Sequence, residues 1–229
     1  VQLLPENLFK KGEINMKKKT MYPIIAISLI ICFLQTRIFA DDLEEINNKA
    51  KKVTEIVNKA IEHIVTSEDG DKALKNVSDP KGEYVLPDPD GDLYVFVYNM
   101  EGTIIAHNNE KLIGKNLFSL KDTKGKNFVA EFTSIAKSRE GEGWSSYHWA
   151  KPNETSGSPK LSLIKKVPGK VTYTAKSPGK SGLKVTEEIF LGVGFYLKSD
   201  EEFEKVKSQF KKLGYNLWEA GRQERNNNK

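Results

Sequence analysis

Leu43, Ile46, Ala50, Val53, Val57, Ala60 and Ile64 recur at alternating intervals of three and four. That period places all seven on one narrow stripe of an α-helix. A lone amphipathic helix is marginal in water, so this stripe must lie against another apolar surface. Asp42, with Glu45 three residues later, resembles a capping box with Asp in place of Ser or Thr, and the helix is expected to stop near Gly70. A short helical turn over Asp71 to Val77 follows, and Ser78-Asp79-Pro80-Lys81-Gly82 is turn chemistry.

The surface for that stripe is expected to be a sheet. After the turn Pro87-Asp88-Pro89-Asp90-Gly91, the run Leu93 to Tyr98 is β-branched and aromatic and reads as a strand. Asn99-Met100-Glu101-Gly102 is a hairpin-length turn, with Thr103 to His107 as the partner strand. Phe128, Phe132, Ile135 and Ala136 have helical spacing within 127–138. Trp144 to Trp149 and Leu161 to Val167 read as strands, and Val171 to Thr174 as a short one. Glu188 to Leu197 reads as the last strand, with Gly192 and Gly194 where neighbours approach closely. Ser199 and Glu202 cap a final helix that Gly214 ends. Hairpin-linked strands around one central helix predict an α+β domain: an antiparallel sheet with a long N-terminal helix and a short C-terminal one.

Charge and cysteine narrow the function. The net charge of +5 suggests nucleic acid, but residues 1–40 hold six of the Lys and Arg against Glu6 and Glu13, which leaves 30 basic and 29 acidic residues. A nearly neutral body lacks the concentrated basic face that phosphate backbones require. Lys165 to Lys184 is the one basic cluster; it is either a solvated loop or a contact for anionic lipid or cell-wall polymer. The single cysteine, Cys32, excludes disulfides, thiolate metal sites and a cysteine nucleophile from the rest of the chain.

Met16-Lys17-Lys18-Lys19, an apolar run from Met21 to Leu34 and Ala40 before Asp41-Asp42 form a secretory signal pattern. The expected organisation is an over-extended upstream stretch (1–15), a signal peptide (16–40) cleaved after Ala40, one domain (41–214) and a C-terminal tail (215–229). The body is then periplasmic or secreted; an uncleaved N-terminal anchor is the alternative.

Five strings resemble the single Cache domain, type 2, in the family's order: DLYVFVYNMEGTIIAH (92–107), LIGKNLFSLKDTKGKNFV (112–129), GWSSYHWAKP (143–152), PKLSLIKKV (159–167) and GVGFYL (192–197). The resemblance spans roughly residues 43–199. It implies a PAS-like sheet carried by a long helix, with an extracytoplasmic pocket for small organic anions, in a stand-alone form that acts with a partner receptor or kinase. The chain departs from the family at Asn108, where Pro is common, at Leu163, where Tyr is frequent, and near Thr103, where chemoreceptor members often carry Arg. The last two changes remove two common ligand donors. The stretch 170–184 looks like an insertion.

The resemblance assigns His107, Tyr147, Trp149 and Lys160 to the pocket. Lys160 would supply the charge, Tyr147 and Trp149 donors or a stacking wall, and His107 a second donor; Tyr94 and Tyr196 are weaker candidates. On the residues alone, Tyr147 and Trp149 alternate on one strand face as core, and Lys160 is a solvated strand start. Asp88 to Asp92 is a turn and not a calcium loop, because its glycine is fourth and its sixth residue is Leu93. His63, His107 and His148 lack metal spacing. No nucleophile elbow or complete phosphate loop occurs, so neither an enzyme nor a cofactor is expected. The alternative is a structural or interaction domain without a ligand, in which the stripe of 43–64 pairs with a second copy as a homodimer.

Overall fold

The computed structural model describes residues 43–151 and 154–218. The chain divides into a unit of residues 1–45 and a unit of residues 46–229. The leader and the Asp42 cap lie outside the described residues. Of the first unit only 43–45 are described, as the opening of helix α1 (43–66). No described helix is long and apolar enough to cross a membrane.

Within the second unit α1 ends at residue 66, a turn short of Gly70, because Ser67 to Asp69 start a new helix. Asp69 caps α2 (Gly70–Val77) by accepting from the Lys72 amide at 3.2 Å. Then come β1 (Val95–Asn99), β2 (Ile104–His107), a 3-10 turn (Glu110–Leu112) and α3 (Phe128–Lys137). β3 (Glu142–Ala150), β4 (Gly157–Lys166), β5 (Val171–Thr174), β6 (Lys184–Glu187), β7 (Ile189–Tyr196) and α4 (Asp200–Lys212) complete the order.

Five strands form one antiparallel sheet in the order β2-β1-β7-β4-β3. The last large strand in sequence is the middle one in space, which explains why all eight residues of β7 are buried. Period-2 alternation then builds two cores. On one side Ile46, Ala50, Val53, Val57, Ala60 and Ile64 of α1 join Val95, Val97, Leu161, Leu163, Leu191, Val193 and Phe195, together with Phe203, Val206 and Phe210 of α4. The α1 stripe is therefore consumed by the chain's own sheet and is not free to pair with a second copy. On the other side, α3 packs Phe128, Val129, Phe132 and Ile135 onto Tyr94, Phe96, Tyr98, Tyr147, Ile164, Phe190 and Tyr196. This second core is mostly aromatic.

Two local features differ from the sequence expectations, and a third, the acidic turn, has the expected form with a lysine partner that the sequence did not show. The lysine-rich stretch is a two-stranded hairpin, β5–β6, and Asp71 of α2 accepts from the Thr174 amide at 2.6 Å and from Lys184 Nζ at 2.5 Å. Three lysines of this region are paired: Lys165 with Glu142, Lys166 with Glu188 and Lys184 with Asp71. The acidic turn after α2 holds a lysine, since Lys49 Nζ lies 3.2 Å from Asp88 and 2.9 Å from Asp90. Residues 215–218, assigned to a tail, lie along β3: the Trp144 amide donates to Asn216 O at 2.9 Å and the Trp218 amide to Trp144 O at 2.8 Å.

Candidate ligand-binding site

The register of the sheet decides which side chains meet on the aromatic face. Tyr147, Lys160 and Tyr196 sit opposite one another across β3, β4 and β7. Phe96 sits opposite His107 on β2 and Gly192 on β7. Gly192 is small by necessity, because a Cβ there would collide with the Phe96 ring and lie 2.8 Å from Ile164 Cδ1. All six residues proposed from sequence therefore share one face.

Lys160 is central to this arrangement. Its side chain is fully buried, 0% exposed, so it is no solvated strand start. Its ammonium lies 4.0 Å from the centre of the Tyr94 ring, 4.5 Å from that of Tyr196 and 5.7 Å from that of Phe96. Among the described residues no carboxylate pairs with Nζ; its polar support is the Tyr94 phenol. Burial pushes its pKa below the ordinary lysine value, and the Tyr94 phenol offsets part of that. Cation–π attraction in a dry site is worth about 2 kcal/mol, which is less than a buried ammonium loses in hydration.

The tyrosine hydroxyls form a short relay. Tyr94 and Tyr196 hydroxyls are 3.3 Å apart, and Tyr196 donates to Ala150 O at 3.0 Å. Tyr147 pairs with the Ser162 hydroxyl at 3.0 Å, and its ring stacks on Phe128 with centroids 4.9 Å apart. Burial and hydroxyl neighbours hold the Tyr196 pKa far above the ordinary phenol value.

Beside this cage opens a cleft of about 580 Å3, walled by Tyr94, His107, Leu112 and Trp149, with Lys151 and Glu154 at its rim. The His107 ring lies 5.2 Å from the Tyr94 ring. Burial, helped by the nearby Lys160 charge, drops the His107 pKa from 6.5 to about 3, so the ring is neutral near pH 7. Its Nδ1 accepts from the Asn109 amide at 2.9 Å, which leaves the proton on Nε2 as a donor.

Tyr94, His107 and Trp149 thus line the cleft, while Tyr147, Lys160 and Tyr196 lie in the aromatic core behind it. Two family departures do not touch the cleft. Leu163 belongs to the core on the opposite face, and Thr103 lines a separate groove beside the β5–β6 hairpin. Neither change therefore removes a donor from this site. Sequence reasoning missed Lys151, Glu154 and the segment 108–112, which are polar loop residues with no periodic signal; only the chain path brings them to the cleft. Among the described residues no group of His, Cys, Asp and Glu has metal-binding geometry.

The fold is that of a PAS-like α+β sensor module. The Cache domain family matches residues 7–170, and the chain belongs to that family, whose sensor domains bind ligands without catalysing a reaction. No curated protein matches the chain. Three solved structures are similar. One is the periplasmic sensor domain of a chemotaxis protein, with 21% identity over 71% of this chain and 99% of that one, TM-score 0.44. A second is a methyl-accepting chemotaxis protein from Vibrio parahaemolyticus RIMD 2210633, with 21% identity over 71% and 97%, TM-score 0.46. The third is a Cache chemosensory domain studied for carboxylic acid recognition, with 21% identity over 66% and 95%, TM-score 0.46.

Proposed function

We propose that this Cache domain binds a small organic anion in the Tyr94–His107–Trp149 cleft, with Lys160 supplying the positive charge. The observation that carries this reading is a fully buried lysine that has no counter-ion among the described residues. A buried charge is normally paired, and truncating one partner of such a pair is strongly destabilising. A carboxylate entering from the cleft completes the pair. Neutral His107 offers an N–H, Trp149 an apolar wall, and Lys151 at the rim draws anions inward. The basic-then-apolar leader supports a periplasmic or secreted location, from which the domain would pass ligand occupancy to a partner receptor or kinase.

A thermal-shift screen of the full chain against acetate, propionate, pyruvate, succinate and amino acids tests this. Ligand that binds only the native state raises Tm by mass action, by about 2.7 kcal/mol of stability at one hundred times Kd. At least one carboxylate should give that response, and Lys160→Met should abolish it while the domain stays folded. A flat screen overturns the reading in favour of a domain whose aromatic face serves packing alone, and an unchanged response in Lys160→Met removes Lys160 from the site.

A further inference from the structure

Lys160 is not a wall of the cleft from which an anion would reach it. Tyr94 stands between them: it lines the cleft and also covers Nζ at 4.0 Å from its ring centre. The second cover, Tyr196, is anchored by its bond to Ala150 O and packs against Gly91, where a Cβ would come within 2.8 Å of Tyr196 Cδ2. Tyr94 has lighter ties. It sits just before β1, outside the ladder, and its hydroxyl is held by the Tyr196 hydroxyl at 3.3 Å and by Lys160 itself, a tie that an arriving anion replaces.

We propose that Tyr94 is a gate: an anion reaches Lys160 only when this ring swings off the ammonium and its hydroxyl leaves Tyr196. The proposal rests on the anion-binding reading and adds a size rule to it. The space that opens over Nζ is what one phenol ring vacates, since the other sides are closed by Tyr196 and Phe96. A short unbranched carboxylate fits that space. An acid fully branched beside its carboxylate does not, so Tyr94 determines specificity as well as access.

Reductive methylation with formaldehyde and a borane, followed by peptide mass spectrometry of the full chain, reads the gate directly. Both reagents are small and neutral, so methylation of Lys160 reports how often the amine is uncovered. Tyr94→Ala should speed methylation of Lys160 by about tenfold or more, as expected when a local barrier to opening is removed. Tyr94→Phe, which keeps the ring and loses the hydroxyl bond, should speed it about fivefold, the equivalent of one ordinary hydrogen bond. Tyr94→Phe carries the test if the alanine variant does not fold. Lys49, held by Asp88 and Asp90, is the internal reference. Propionate should slow Lys160 methylation in wild type and in Tyr94→Ala, whereas 2,2-dimethylpropanoate should do so in Tyr94→Ala alone. An unchanged Lys160 rate in both variants overturns the gate, and so does a parallel rise at Lys49, which marks general loosening. Faster methylation without protection by propionate leaves the gate standing and removes the anion reading. Protection of wild type by both acids overturns the size rule.

Discussion

The ammonium of Lys160 faces the ring of Tyr94 at 4.0 Å, and the same ring is a wall of the outer cleft. One tyrosine thus connects a charge in the dry core to a solvent-filled space. The stability of the empty domain and its response to anions should accordingly move in opposite directions when Lys160 is replaced.

Lys160→Met keeps the length of the side chain and removes the buried charge. Replacing a buried ionic group by a well-packed apolar one is commonly neutral or stabilising, so this variant should be as stable as wild type or up to about 3 kcal/mol more stable. The gap should narrow as pH rises toward 10.5. The folded state, with its lowered lysine pKa, sheds the proton before the unfolded chain does, and the penalty of the charge fades over that window. Urea unfolding at pH 7 and pH 10 measures both effects. A large loss of stability in Lys160→Met would show that the cage more than compensates the charge.

His107 should make the protein acid-sensitive. The unfolded chain takes up a proton at this ring near pH 6.5, while the folded one resists until about 3. Stability is therefore lost as pH falls through that interval, by about 3 kcal/mol between pH 7 and pH 4 for this group alone. His107→Gln cannot titrate and should flatten that part of the curve, which calorimetry at stepped pH will resolve.

Much of this architecture is legible in local sequence, and the site is less so, for a physical reason. The α1 stripe and the aromatic run of β1 carry their own periods, so helix, strand and buried face can be read from neighbouring residues. The burial of Lys160 has no such local signature. In Pro159-Lys160-Leu161-Ser162 it stands among alternating residues at a strand start. It is buried because β4 pairs with β3 on one side and β7 on the other, which sets Lys160 opposite Tyr147 and Tyr196. Tyr196 is 36 positions away, and no window of neighbours encodes that register. The family resemblance drew attention to Lys160 where periodicity pointed to solvent. Strand β6 escaped notice for a related reason: Lys184-Val185-Thr186-Glu187 is mostly polar, and it becomes a strand by pairing with β5.

Gly192 lets the aromatic core close over the sheet. A methyl group there would overlap the Phe96 ring and approach Ile164 Cδ1 at 2.8 Å, with both neighbours buried. Gly192→Ala should cost about 1–3 kcal/mol through overpacking. Displacing Phe96 also disturbs the cage around Lys160. Denaturant melts should show the loss, and Gly192→Ala combined with Phe96→Leu should recover part of it if the clash is the cause.

Asp71 should govern the hairpin rather than the sheet. Partial burial pushes its carboxyl pKa up, but Lys184 and the two Thr174 donors outweigh this and hold it at about 2. Because the folded value is depressed, the contribution is present above pH 4 and is lost as pH falls toward 2. The side chain is 39% exposed, so water screens the ion pair and the whole cluster contributes about 1 kcal/mol. Asp71→Ala should therefore leave global unfolding nearly unchanged. Hydrogen exchange should quicken at amides of residues 171–187, where the hairpin is pinned to α2, while β1, β4 and β7 stay protected by the sheet. Equal acceleration in β7 would mean that the hairpin is part of the cooperative core. Acceleration confined to the hairpin would mark it as a separate unit that opens and closes on a domain already folded.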